Sequence, residues 1–159
     1  MLEPRSLDLP EVTYPPGAAI LTEGQRHGEI LVLVSGAVRV SSQGTEVAVI
    51  SAPGAIFGEM AALLDAPATA SVTAVDECRF LRSDDPDGLL RDAPGFAREV
   101  AVTLARRLDL ITGYLVDLRR QYADSGDHLG VVDEVLESLR QHQGPRLRAG
   151  SEREPDAPY

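Results

Sequence analysis

The sequence predicts an α+β protein in which an antiparallel β-barrel or sandwich is followed by helices. Two observations lead to this prediction. Between residues 10 and 82, short β-branched runs alternate with turn residues at close spacing. After Leu89 the apolar residues change to a helical spacing. The 159 residues are enough for one compact domain with a helical extension.

Seven strand-like runs follow one another in the first half of the chain. They read EVTY, AAILTEG, EILVLVSG, AVRVSS, TEVAVISAPG, TASVTAV and ECRFLRS. The glycines that punctuate them are either sites of positive φ or plain turns, and they are Gly24, Gly36, Gly44 and Gly54. The segment SSQGTE is typical of a hairpin turn. Between the strand-like runs, GEMAALL predicts one short helical turn.

Two helices are predicted after the segment SDDPDG. In the first, apolar residues recur at alternating steps of four and three, which is the repeat of a coiled-coil seam. The seam residues are Leu104, Leu108, Ile111, Leu115, Leu118 and Tyr122. We therefore expect a parallel homodimer through this helix; the alternative is a lone helix packed on its own barrel. The second helix has one apolar face, made of Leu129, Val132, Leu136 and Leu139.

The patterning divides the chain into four segments. We expect a β-domain over residues 10–100, a dimerisation helix over 101–124, a C-terminal helix over 127–143 and a disordered tail over 144–159. The tail is polar and rich in proline, and such a composition buries too little apolar surface to fold.

Composition argues against several classes of protein. No apolar run reaches the roughly 20 residues that cross a bilayer, and the N-terminus lacks the order of a secretory signal. A single cysteine, Cys78, allows no internal disulfide, which suits a reducing cytoplasm. The net charge of −10 weighs against duplex DNA, whose binding relies on Lys and Arg contacts to phosphates. We therefore expect a soluble cytoplasmic protein without affinity for DNA or membranes.

No arrangement of residues indicates catalysis or a resident metal. The three histidines, His27, His128 and His142, have no metal-ligand spacing with one another or with Cys78. Neither a nucleophile elbow nor a phosphate-binding P-loop is present. The run DDPD at 84–87 is typical of a solvated turn that leads into a helix. We predict that the protein is not an enzyme and needs no cofactor.

The segment FGEMAALLDAPATASVTA, from Phe57 to Ala74, resembles the phosphate-binding cassette of cyclic nucleotide-binding domains. In that family, F-G-E-x-A-L-L is followed by a short loop, P-R, small residues and A-[ST]-V. The matching positions are Phe57, Gly58, Glu59, Ala61, Leu63, Leu64, Pro67, Thr69, Ala70, Ser71, Val72 and Ala74. The resemblance extends more loosely over residues 10–142. It implies a β-roll of about eight short strands, followed by the dimer helix and the next helix of the catabolite-activator branch.

The resemblance also implies roles for residues of the cassette. Free backbone N–H groups at Gly58 and Glu59 would face an anion, and the Glu59 carboxylate would accept hydrogen bonds from a ribose hydroxyl. Two alternatives stay open: Glu59 only caps its own helix, and Thr69 is a plain strand residue rather than a phosphate or purine contact. In the dimer helix, Thr112 is the candidate base contact. The candidate ligand-binding residues are Phe57, Gly58, Glu59, Met60, Ala61, Pro67, Ala68, Thr69, Ala70, Ser71 and Thr112.

Ala68 departs from the family pattern. It follows Pro67, where family members that bind cyclic nucleotides carry an arginine that pairs with the cyclic phosphate. A guanidinium donates bidentate, charge-assisted hydrogen bonds, each worth roughly 1.5–3 kcal/mol, which a methyl group cannot replace. Loss of two such bonds weakens binding by about 10²- to 10⁴-fold. We therefore expect weak or no binding of cyclic AMP and cyclic GMP.

Three functions of different classes fit the sequence. The first is a stand-alone dimeric sensor of a cyclic nucleotide or nucleoside-like ligand, which signals to an unknown partner protein. The second is a ligand-free, degenerate β-roll that acts as a dimerisation or docking scaffold. The third is a DNA-binding transcription regulator, which the acidity and the lack of a helix-turn-helix sequence disfavour. Glu59 separates the first two, because a scaffold needs no carboxylate at a sugar-reading position.

Overall fold

The structure is a computed structural model that describes residues 3–122 and 130–140. The strands are β1 (Glu11–Tyr14), β2 (Ala19–Leu21), β3 (Ile30–Ser35), β4 (Val38–Ser42), β5 (Thr45–Ile50), β6 (Ile56–Phe57), β7 (Ser71–Ala74) and β8 (Cys78–Ser83). The helices are α1 (Glu59–Leu63), α2 (Pro86–Asp92), α3 (Pro94–Gln121) and α4 (Gly130–Arg140), and a 3-10 turn covers Pro4–Ser6. The predicted tail over 144–159 and the predicted break between the two helices, over 123–128, lie outside the described residues.

The strands form two four-stranded antiparallel sheets. Their orders are β1-β8-β3-β6 and β2-β7-β4-β5, so neighbours within a sheet are often distant in sequence. This arrangement confirms the predicted α+β class with an antiparallel β-roll. Seven of the eight strands correspond to the predicted runs, while the two-residue strand β6 belongs to none of them.

One cluster of buried side chains from both sheets forms the core of the roll. The first sheet contributes residues of β3, β6 and β8, and the second contributes residues of β2, β4 and β7. Phe80 is fully buried at the centre, and its ring meets those of Tyr14 and Phe57 edge to face, at centroid distances of 5.8 and 5.9 Å. Such edge-to-face pairs are favoured by the charge distribution of aromatic rings. Cys78 is buried in the same cluster, as expected of a small apolar residue.

The predicted hairpin joins β4 to β5 through Gln43 and Gly44. Both residues have positive φ, at 52° and 76°, as a two-residue turn between right-twisted strands requires. The Gln43 N–H donates to the Glu23 carboxylate at 3.0 Å, which ties the turn to the end of β2. Positive φ at all four punctuating glycines resolves the alternative that the sequence left open.

The helical part begins at Pro86, three residues before the change in apolar spacing. The Asp85 carboxylate caps α2 by accepting a hydrogen bond from the Gly88 N–H at 3.0 Å. This cap confirms that DDPD is a turn leading into a helix. The residues Pro86 and Pro94 stand at the starts of α2 and α3, where the absence of an N–H donor is harmless.

The chain divides into two compact units, one ending at Val102 and the other beginning at Thr103. In the first unit, Phe96 and Val100 on the first turns of α3 are buried. In the second, an ion pair of 2.9 Å between the Arg119 Nε and an Asp133 carboxylate oxygen joins α3 to α4. Among the described helices, none combines the length and apolarity that a bilayer crossing demands.

The entry into α1 depends on a left-handed backbone at Gly58. This residue has a φ of 82° and ends the β6 strand, and Glu59 begins the helix. A Cβ atom built on Gly58 would collide with the carbonyl oxygen of Glu29. Two constraints therefore exclude any other residue, because positive φ disfavours a side chain and the space for one is missing. The first two residues of the F-G-E motif are thus explained by the core and by this turn.

We expect Phe80→Ala to lower the free energy of unfolding by about 3–5 kcal/mol, since it removes a fully buried ring and leaves a cavity. Val49→Ala is the matched control, because Val49 lies exposed on β5 and its truncation should change stability by no more than about 0.5 kcal/mol. Urea unfolding followed by circular dichroism measures both. Equal midpoints for the two variants would contradict the assigned core.

Gly58→Ala should destabilise the protein more than Gly44→Ala does. Both positions have positive φ, so both variants carry backbone strain of about 1–2 kcal/mol. Only at Gly58 does the new methyl group meet a backbone atom, whereas at Gly44 nothing lies within 4 Å. Thermal unfolding measures both variants. Because both carry the backbone strain, the difference between their melting temperatures reports the collision at Gly58. Indistinguishable melting temperatures would show that the approach of Gly58 to Glu29 is not tight.

Candidate ligand-binding cassette

The cassette begins in the core and continues through the turn at Gly58. Phe57 is the buried last residue of β6 and contacts Phe80. Glu59 is the first residue of α1 and is only 3% exposed, which is unusual for a carboxylate. Because α1 has five residues, the N–H groups at its start, rather than a long helix dipole, are the available backbone donors. A buried carboxylate and backbone donors therefore lie at the same point of the chain.

The end of the cassette is held by the loop that follows β2. The Ala68 N–H donates to the Gln25 carbonyl at 2.9 Å, and the Gly24 N–H donates to the Ala68 carbonyl at 2.8 Å. Ala68 is 7% exposed, while Pro67 before it and Thr69 after it are exposed. The backbone at the position of the family's arginine is therefore fixed and buried, but its side chain is a methyl group.

Polar contacts connect the segment after Ala68 to the second sheet. The Ser42 hydroxyl on β4 lies 3.1 Å from two acceptors, the Thr69 carbonyl and the Glu23 carboxylate, which share its one proton. Ser71 begins β7, and its hydroxyl accepts a hydrogen bond from the Glu23 N–H at 3.0 Å. Ala70 between them is partly buried. The backbone and hydroxyl groups of this segment are thus ordered by β2 and β4.

Asp65, within the cassette, pairs with Arg26 from the loop after β2, and no signal in the sequence indicates this pairing. The Arg26 guanidinium donates to both the carbonyl and the carboxylate of Asp65, each at 2.9 Å. The two residues are 39 positions apart, so no local spacing could reveal the contact. They also line a cavity of about 260 Å³, whose other lining residues are Gly28, Ala61, Ala62, Ala66, Pro86 and Asp87. Of the predicted ligand-binding residues, only Ala61 lines this cavity.

The remaining cassette residues differ in exposure. Met60 is exposed on α1, together with the two leucines that follow it, and Ala61 is partly buried. Thr112 belongs to the second unit, and its hydroxyl donates to the Leu108 carbonyl at 2.8 Å within α3. Gly58, Glu59 and Ala68 all belong to the first unit.

Four arginines lie between residues 11 and 87, a region that contains no lysine and eleven carboxylates. Each guanidinium is engaged in an ion pair, and the pairs are Arg26–Asp65, Arg39–Glu46, Arg79–Glu11 and Arg82 with both the buried Glu29 and the exposed Asp84. Their side chains are between 39% and 63% exposed. The hydrogen bonds from Arg79 also lower the pKa of the Glu11 carboxyl. Strand alternation does not decide whether Arg39, Arg79 and Arg82 face the interior, and in the structure their side chains are 39–50% exposed.

Comparison with known proteins agrees with this geometry. A family described as the cyclic nucleotide-binding domain matches residues 11–87. The chain is similar to the catabolite activator protein of Thermus thermophilus, with a TM-score of 0.57 and 28% identity over 89% of this chain and 83% of that one. It is also 29% identical, over 69% of its length, to the CRP-like cAMP-activated global transcriptional regulator of Mycobacterium tuberculosis, of which it covers 52%. A third relative is the Pycsar effector protein XpPycTIR of Xanthomonas perforans, 29% identical over 79% of this chain and 43% of that protein.

The chain spans about half the length of the curated relatives it matches. The matched region coincides with the β-roll, from the first residue of β1 to the first turn of α2. It includes the left-handed turn at Gly58, the buried Glu59 and the docked Ala68. Residues 11–87 of this chain therefore belong to the cyclic nucleotide-binding domain family.

Proposed function

We propose that this chain is a regulatory sensor that binds a nucleotide-like or nucleoside-like ligand in the cassette of its β-roll. The single observation that carries the proposal is the buried Glu59 carboxylate directly after the Gly58 turn. A carboxylate is a hydrogen-bond acceptor, and the two hydroxyls of a ribose are suitable donors to it. The helices that follow the roll then transmit the effect of ligand binding to a partner protein.

A regulatory role rather than catalysis is consistent with the chemistry of the described residues. Among them, no group of three or more His, Cys, Asp or Glu side chains could hold a metal ion. Burial raises the pKa of the Cys78 thiol, which keeps it protonated and makes it a poor nucleophile. The Mycobacterium tuberculosis relative is a cAMP-activated regulator, in which the ligand is a signal rather than a substrate. We place the protein in the cytoplasm, where this thiol remains reduced.

We further propose that two copies associate in parallel through α3. On the predicted seam, Leu108 and Ile111 are 50% and 54% exposed within the single chain, and Tyr122 is also exposed. Leu104, Leu115 and Leu118 are partly buried. A 4-3 repeat of apolar residues sustained over more than two heptads is the pattern that a helical partner covers. The seam would carry the ligand's effect from one subunit to the other.

A ligand-free scaffold is the second candidate, and Ala68 is the observation that favours it. Without a guanidinium at this position, the cassette lacks the group that would bind a cyclic phosphate. The net charge of −10 favours a protein partner over duplex DNA for either candidate. Thermal unfolding with a panel of nucleosides and cyclic nucleotides separates the candidates, because a ligand that binds only the folded state raises the melting temperature. A scaffold would show no shift with any of them.

Ala68→Arg should tighten the binding of cyclic AMP by at least tenfold, or about 1.4 kcal/mol, because it restores the missing counter-charge. The gain should remain below the full value of two bidentate hydrogen bonds, since the backbone at Ala68 is already docked on Gln25. Isothermal titration calorimetry measures the wild type and the variant. Ala19→Arg is the matched control, since it adds the same charge at an exposed position on β2.

Glu59→Ala in the Ala68→Arg background should abolish the gain if the carboxylate holds the sugar. Equally tight binding of cyclic AMP by wild type and Ala68→Arg would instead mean that another cation serves the phosphate. Binding by neither protein would favour the scaffold.

Simultaneous substitution of Leu108 and Leu115 by Asp should convert a dimer into monomers or unfolded protein, because it buries unpaired charges in the seam. Leu110→Asp is the control, since Leu110 lies off the seam and is 75% exposed. Sedimentation equilibrium at micromolar concentrations gives the mass of each protein. A monomeric wild type, or a dimer that survives the double substitution, would rule out the proposed seam.

A further inference from the structure

We infer that the cassette prefers an uncharged ribosyl ligand, of the nucleoside class, over the cyclic nucleotide that carries the same base. The inference rests on the proposed function, because it names the ligand class of the same site. It follows from two observations: the backbone contacts that Gly58 and Ala68 make, and the ion pairs that the arginines of the roll form.

Both ends of the cassette are held by one short loop. Gly58 lies against the carbonyl oxygen of Glu29, and Ala68 is hydrogen-bonded to Gln25 at 2.9 Å. Gln25 and Glu29 are four residues apart, so their backbones are separated by at most about 14 Å. Gly58 and Ala68 are therefore both anchored to the same five-residue stretch of backbone. In the family that the cassette resembles, the arginine at the position of Ala68 pairs with the phosphate, so the 5′ substituent of a ligand bound in that way would lie at Ala68.

The position that would receive a phosphate carries no positive charge. Ala68 offers a buried methyl group where a guanidinium would neutralise the anion. Since the chain contains no lysine, only an arginine could replace it. The four arginines of residues 11–87 each pair with a carboxylate, at 2.6–2.9 Å, and one of these partners, Glu29, is buried. Moving Arg82 to a phosphate would break its ion pair with the buried Glu29.

The charge that is present has the wrong sign for an anion. Glu59 is a buried carboxylate, and the roll as a whole holds eleven carboxylates against four arginines. A phosphate would add a further negative charge to this excess. A nucleoside presents hydroxyl donors to Glu59 and adds no charge. The buried Ala68 methyl is likewise compatible with an uncharged 5′ group and unfavourable for a desolvated phosphate.

The test is calorimetric titration of the whole chain with adenosine and cyclic AMP, and separately with guanosine and cyclic GMP. In at least one pair the nucleoside should bind tenfold or more tightly than its cyclic nucleotide. Glu59→Gln removes the negative charge at constant shape. It should reduce the ratio of the two dissociation constants, cyclic nucleotide to nucleoside, by at least threefold. Ala68→Arg should reverse the order of the two affinities. Melting curves of both variants check that the fold is retained.

The outcomes separate this inference from the proposed function. If the wild type binds a cyclic nucleotide as tightly as its nucleoside or more tightly, the inference is wrong and the sensor function stands. If it binds no nucleoside and no cyclic nucleotide at millimolar concentrations, both are wrong. Tighter binding of the nucleoside with an unchanged ratio in Glu59→Gln would overturn the role of the Glu59 charge in the selection.

Discussion

The candidate site depends on the close passage of the chain at Gly58 over the carbonyl of Glu29. This contact is possible only because the residue has no Cβ and adopts positive φ. It places Glu59 immediately inside the roll, where the side chain is 3% exposed. The same loop binds Ala68 through a pair of backbone hydrogen bonds to Gly24 and Gln25. One segment of five or six residues therefore determines where the cassette starts and where it ends.

The aromatic core connects this loop to the rest of the roll. Phe57 precedes the turn and contacts Phe80, which also contacts Tyr14 on β1. Phe57 therefore connects the cassette to a packed cluster rather than to solvent. Close-packed interiors transmit displacements, so a movement of the cassette would also displace this cluster. On the other side, Glu23 and Ser42 hold the end of the cassette to β2 and β4. The cassette is supported by both sheets, which suits a site whose occupancy is a signal.

The distribution of charged residues is a distinctive property of this roll. The fold buries the carboxylates of Glu29 and Glu59 and pairs each arginine of the roll with a carboxylate, in most cases at the surface. Such surface pairs contribute little to stability, since solvent screens them. In our proposal, the discrimination between a phosphate and an uncharged 5′ group depends on the side chain at position 68.

Sequence alone predicted seven of the eight strands, the change to helices and the resemblance of the cassette to its family. Strand-like alternation, the change to helical spacing and the F-G-E motif are local patterns, because they arise from the geometry of adjacent residues. The left-handed turn at Gln43 and Gly44 and the cap at Asp85 are local for the same reason. Tertiary structure alone decided that Gly58 meets Glu29, that Ala68 is bonded to Gln25 and that Arg26 pairs with Asp65. These contacts join residues 29 to 43 positions apart, and the outward direction of Arg39, Arg79 and Arg82 depends on which strands become neighbours. Strand order is set by burial of the whole core, which no local pattern encodes.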